Sequence, residues 1–177
     1  FEVKTFFGDN LLSKEGRMME LHFKDFVLLN IYFPNGGSGE ERLQYKLCFY
    51  DEFLKHISGL VEQGKHAVFC GDVNTAHQAI DLARPKENEK VSGFLPIERS
   101  WMDQLVEAGF VDTFRSAEPE TVKYSWWDMK TRARERNVGW RIDYFFVNQA
   151  FLPRVKGTEY LNDVPGSDHC PVLLTIG

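Results

Sequence analysis

Apolar positions along the chain fall into short runs of strand-like composition and two longer stretches with helical spacing. The runs RMMELHF, FVLLNIYF, HAVFCG, RIDYFFV and CPVLLTI are rich in aliphatic, aromatic and β-branched residues and are bounded by turn formers, which predicts strands, several buried on both faces. FEVKTFF at the start alternates apolar and polar residues as a half-buried strand would. Only Lys24 and Asp25 separate RMMELHF from FVLLNIYF, so these two form a hairpin. One helix is predicted from a capping box at Ser38 and Glu41, with Leu43, Leu47, Tyr50, Leu54, Ile57 and Val61 on one face and Gly64 as its stop. A second spans Pro96 to Ala108, with Trp101, Leu105 and Val106 on the buried side and Gly109 behind it. Strands mixed with helices, some strands joined only by turns, point to a layered α/β domain rather than a regular Rossmann alternation.

Composition narrows this. A chain of 177 residues with 43% hydrophobic content fits one globular domain with a substantial core. No run approaches the length of a membrane span and the start lacks the features of a signal peptide, so a soluble protein is expected. Three cysteines, Cys48, Cys70 and Cys170, without C-x-x-C spacing argue against a disulfide framework and a zinc site, and for an intracellular, reducing compartment. The net charge of −5 gives no global attraction to nucleic acid. Any such contact must be local, and Lys123 to Arg141 offers six basic residues against two acidic ones. The plain alternative for that stretch is a solvated charged loop.

Candidate chemistry lies just after strand ends, where α/β folds place sites. HAVFCG runs into Asp72 and, two residues on, Asn74, whose side chains converge if the backbone stays extended. Such a pair suits a divalent cation or a water to be deprotonated, and the structural alternative is an Asx turn that only caps the next segment. Asp168 and His169 stand immediately before the last strand, where an acid and an imidazole can serve metal and phosphate, or a hydrogen-bonded histidine can be purely structural. Asp143 sits in an apolar strand and needs a partner: a salt bridge to Arg141, or an orienting contact to His169. Tyr32 and Asn35 flank a Pro turn that is otherwise an ordinary loop.

Taken in order, IYFPNGG, GDVNTAHQAIDLARPK, GFLPIER, NVGWRIDYFFV and GSDHCPV resemble the exonuclease III branch of the apurinic/apyrimidinic endonucleases, within the endonuclease/exonuclease/phosphatase superfamily. GSDHCPV alone marks the broad superfamily, and NTAHQAIDLARPK with NVGWRIDYFFV narrows it to DNA-repair nucleases. The resemblance implies a DNase I-like layered α/β sandwich of two mixed sheets flanked by helices, here one domain lacking its N-terminal strands. It implies that Asp72 activates the attacking water, that Asn74 orients Asp72 and donates to phosphate, and that His169, held by Asp143, stabilises charge on the scissile phosphate. Tyr32 becomes an active-site tyrosine with Asn35 beside it. Trp126 and Trp140 become pocket aromatics for a base-free sugar, whereas Trp127 reads better as core. Arg84, Lys86 and Arg141 are expected to contact DNA.

The implied cofactor is Mg²⁺ or Mn²⁺, with Asp72, Asn74 and Asp168 among its ligands. The implied partner is double-stranded DNA containing abasic sites, bound by a protein monomeric when intact. The family's upstream asparagine and its principal metal-binding glutamate have no match in residues 1–15, where Glu2 and Glu15 are the glutamates present, so weak metal binding and little or no activity are expected of this chain alone. The competing readings are a phosphatase of the same superfamily acting on small phosphorylated molecules, and a non-catalytic DNA-binding module.

Overall fold

The computed structural model describes residues 2–4 and 15–177. In chain order they form β1 (Glu2–Lys4), β2 (Met18–His22), β3 (Val27–Ile31), α1 (Glu40–Glu62), β4 (Ala67–Asp72), α2 (Pro85–Asn88), α3 (Pro96–Glu107), β5 (Phe110–Asp112), α4 (Thr113–Ala117), β6 (Asp143–Asn148), β7 (Val155–Tyr160) and β8 (Val172–Ile176), with short 3-10 turns between. All five apolar runs are strands, as their composition predicts. Of the opening run FEVKTFF only Glu2–Lys4 is described, an exposed strand, and the rest of that prediction lies outside the described residues.

Six strands make one mixed sheet in the order β1-β2-β3-β4-β6-β5. β2 and β3 are the expected hairpin, Phe23 N–H donating to the Phe26 carbonyl across its turn at 2.9 Å. β4 joins β3 in parallel, with α1 as the crossover, and β6 runs antiparallel to β4. The sheet is covered on both faces because alternate residues of its central strands feed different cores. Phe69 and Phe146 pack with α1 and α3, while Val68 and Val147 pack toward β7 and β8. The second sheet, among the described residues, is the antiparallel pair β7 and β8.

The helical core is built on aromatic contacts. Phe33 meets Phe53 edge-on at 4.9 Å and Tyr50 stacks on Trp101 at 4.0 Å. Two local expectations are corrected. Gly39, at φ 101°, caps α1 without any side-chain bond, so Ser38 and Glu41 form no capping box. Met102 rather than Val106 completes the buried face of α3, Val106 being 45% exposed, because it turns outward from the stripe set by Trp101 and Leu105.

Candidate active site

At the end of β4 the backbone makes an unusually close approach to β3. Gly71 has φ 131°, and a Cβ there would lie 1.9 Å from the Ile31 carbonyl oxygen, so only glycine fits. Asp72 follows at once. Asn74 is not extended but left-handed, at φ 55°. That turn aims its backbone N–H at Asp72 Oδ1 (2.7 Å) and its Nδ2 at Asp72 Oδ2 (3.0 Å). The Asx turn and the functional pairing, alternatives in sequence, are one structure. Asn74 Nδ2 also donates to the Phe33 carbonyl (3.0 Å), and its Oδ1 accepts from Asn35 Nδ2 (3.0 Å).

Strand register sets the electrostatics. Asp72 stands directly opposite Asp143 across β4 and β6, and like charges so placed are unfavourable. Burial, then the Asp143 charge, push the Asp72 carboxyl up to about 7. Asp143 is in turn bonded to His169, Nδ1 to Oδ2 at 2.8 Å, which is the orienting contact and not the alternative salt bridge to Arg141. Burial alone would lower the His169 imidazole, but the Asp143 hydrogen bond and charge hold it above its ordinary value. The Nδ1 contact leaves Nε2 as the nitrogen available to a substrate.

A strap at residues 125–127 joins the two halves of the site. Trp126 exchanges backbone hydrogen bonds with Trp140 (2.9 Å each way), and Trp127 N–H donates to the Asp168 carbonyl (3.0 Å). The Trp126 indole donates to Asp168 Oδ2 at 3.1 Å; burial would raise this carboxyl, and the indole bond is foremost in holding it below the usual range. Ser125 Oγ accepts from the backbone N–H of Ile142 and Asp143, both at 3.0 Å, fixing the root of β6. Ser125 carries no motif signal in sequence. Tyr32, Asn35, Asp72, Asn74, Trp126, Trp140, Asp168 and His169 thus line one cavity of about 310 Å³.

Three residues expected to contact DNA lie outside this cavity. Arg141 is fully buried, ion-paired to Asp81 (2.8 Å) and Asp112 (2.7 Å), and cannot touch DNA. The sequence signal for this lay in Asp81 and Asp112, which have no motif value until folding brings them together. Arg84 and Lys86 are exposed at α2, outside the cavity, with Arg84 paired to Glu87 at 3.4 Å. Arg134 of the basic stretch is likewise structural, donating to the carbonyls of Asn162, Val164 and Ser167 and lying over the Trp127 ring. Trp127 is core, as expected, at 3% exposure.

The sequence profile of the Endonuclease/Exonuclease/phosphatase family matches residues 3–169. The chain belongs to that family. It is 43% identical over 165 residues to an exodeoxyribonuclease of Bacillus subtilis, covering 93% of this chain and 65% of the relative. It is 44% identical over 163 residues to the DNA repair nuclease APEX1 of Danio rerio, covering 92% of this chain and 52% of the relative. The chain therefore spans between about half and two thirds of the length of these relatives. Among solved structures, an AP endonuclease from Archaeoglobus fulgidus superposes with a TM-score of 0.87 at 26% identity, over 99% of this chain and 70% of that one. The DNase I-like fold expected from the motifs is the family's fold.

The family is one of metal-dependent nucleases. The cavity offers hard oxygen donors on Asp72 and Asp168, the class Mg²⁺ prefers. Yet among the described residues no three acidic, histidine or cysteine side chains converge on a point that could hold an ion. Asn74, expected as a ligand, has its amide committed to Asp72, Asn35 and Phe33. The described residues do not by themselves fit a closed cation site.

Proposed function

We propose that this chain carries the hydrolytic centre of a DNA repair nuclease that cleaves the phosphodiester 5′ to an abasic site in double-stranded DNA, with 3′-5′ exonuclease and 3′-phosphodiesterase action open to the same centre. The observation that carries the reading is the gathering of Asp72, His169 and the Trp126–Trp140 pair in one cavity. An Asp72 carboxyl near 7 is poised to take a proton from water at neutral pH, and Asn74 fixes the carboxylate through both oxygens. His169, oriented by Asp143, faces charge developing on a non-bridging phosphate oxygen. Trp126 and Trp140 form apolar walls suited to a sugar without its base, whose extrusion from the duplex costs less than that of a paired nucleotide.

Mg²⁺ or Mn²⁺ is the cofactor this reading requires; Asp168 would supply one oxygen donor, and the described residues alone do not complete its site. No helix among the described residues is long and apolar enough to cross a membrane, and an intracellular, DNA-facing monomer is the setting proposed.

The test is Mg²⁺-dependent incision of an abasic-site duplex by the full-length protein, compared with its Asp72→Asn and His169→Ala variants. Each substitution should lower kcat by about 10²- to 10⁴-fold. Loss of less than about tenfold in both would remove the assigned roles. Release of phosphate from inositol phosphates without DNA incision would instead favour a small-molecule phosphatase.

A further inference from the structure

GFLPIER stood out in the sequence without acquiring a role, and its Glu98 lies beneath the cavity. Glu98 is fully buried and so is Lys46 of α1, the two meeting at 2.6 Å. Lys46 Nζ also donates to the Asn74 carbonyl (2.8 Å) and to Thr75 Oγ1 (2.9 Å), which satisfies all three of its protons. Glu98 Oε1 accepts from Ser92 Oγ as well (2.8 Å), and Oε2 accepts from the backbone N–H of Gly93 (2.6 Å) and Leu95 (3.0 Å).

The pair therefore grips two walls of the cavity from behind. One is the left-handed Asn74 that holds Asp72. The other is the Ser92–Gly93 loop, packed so closely that a Cβ on Gly93 would lie 3.2 Å from the Asn74 carbonyl oxygen and 3.3 Å from the Trp140 ring. A buried ion pair is a poor source of stability against an apolar replacement, because desolvation offsets most of the attraction. What this one supplies is fixed geometry on both sides of the reacting groups.

The geometry points to Lys46 and Glu98 as positioning residues for hydrolysis, setting Asn74 against Asp72 and the Ser92–Gly93 loop against Trp140. The kinetic consequence rests on the nuclease reading above; the clamp itself does not.

Two arms separate them. The paired variant Lys46→Met/Glu98→Gln removes both charges together, so neither is left buried alone, and its folding is checked by near-ultraviolet circular dichroism. By NMR the backbone amides of Asn74 and Gly93 should shift or broaden, while those of Thr158 and Leu174 in the distant β7–β8 hairpin stay in place. For abasic-duplex incision kcat should fall about 10²-fold, KM staying within about threefold. Added to Asn74→Ala, the pair should cost little more, since both act through one group. Lys46→Arg, which keeps a cation and several donors, should retain activity within about tenfold. If the paired variant does not fold, Ser92→Ala, which removes a single donor to Glu98, takes its place with the same readouts at smaller size.

Unmoved Asn74 and Gly93 amides in a folded variant, kcat within about twofold of the parent, or losses that multiply with Asn74→Ala would each overturn the inference. If the unsubstituted full-length protein incises no DNA, the nuclease reading fails, and the NMR arm still decides on the clamp.

Discussion

Two aspartates, the half-buried Asp72 and the fully buried Asp81, lie at opposite extremes of electrostatic compensation. Asp81 is held by Arg141 at 2.8 Å and Arg115 at 2.7 Å and also accepts the Gln78 N–H; burial would raise its carboxyl, but the guanidiniums hold it below the usual range. Asp72 has no such cation against it. Its partners are an amide side chain, a backbone N–H and the Asp143 carboxylate across the sheet, and its carboxyl rises to about 7. The difference separates structure from chemistry. A carboxylate neutralised on all sides is locked and fit for cross-linking elements; one left short of positive charge can bind a proton or a substrate's cationic company at neutral pH.

The largest effect should come from breaking the compensated site. Arg141→Met leaves Asp81 and Asp112 buried without their shared cation, and unfolding by denaturant should show a loss of about 3–5 kcal/mol. Asp72→Asn should do the reverse. An unfolded aspartate titrates near 3.8 and Asp72 near 7, so the stability belonging to its neutral form is fully present below about pH 3.8 and is lost as pH rises through about 7. The asparagine variant should thus be more stable than the parent by roughly 1–3 kcal/mol at pH 8, a gain that disappears below about pH 4, as urea titrations across pH will check. A variant no more stable at pH 8 would remove the contrast between the two aspartates.

Asp143→Asn sharpens the comparison further. It deletes the charge that faces Asp72 and raises His169, so both titration midpoints should move down, followed by NMR of the His169 ring and by the acid limb of the pH–rate profile. The smallest effect is expected at the surface. Glu15 is pulled down to about 2, chiefly by its hydrogen bond from Arg42, but its side chain is 37% exposed. Glu15→Gln should cost less than about 1 kcal/mol at neutral pH, because water and salt screen an open pair. That contribution is present above the ordinary glutamate range and fades as pH falls through about 2.

Legibility in the sequence followed the range of the interaction. The strands were readable because composition and alternation act locally, and Phe69 and Val68 face opposite cores as period two requires. Asp72, Asn74 and the Asp168–His169 pair were readable because their motifs place them at strand ends. Arg141 was misread as a DNA contact because its local neighbours, Trp140 and a run of basic residues, say nothing of Asp81 sixty positions earlier. Ser125 and Lys46 were silent for the same reason, and Glu98, though inside GFLPIER, gave no sign of its role, their partners arriving from distant segments.

By itself, then, the sequence determined the strand and helix segments, the family resemblance and the order of the candidate site residues, all matters of short-range pattern. Tertiary structure alone decided that Asp143 orients His169 instead of pairing with Arg141, that Asn74 holds Asp72 by turning left-handed, and that Asp72 faces a like charge. Register between β4 and β6 sets Asp72 against Asp143, and register is set by how whole strands bury their faces, which no single segment encodes.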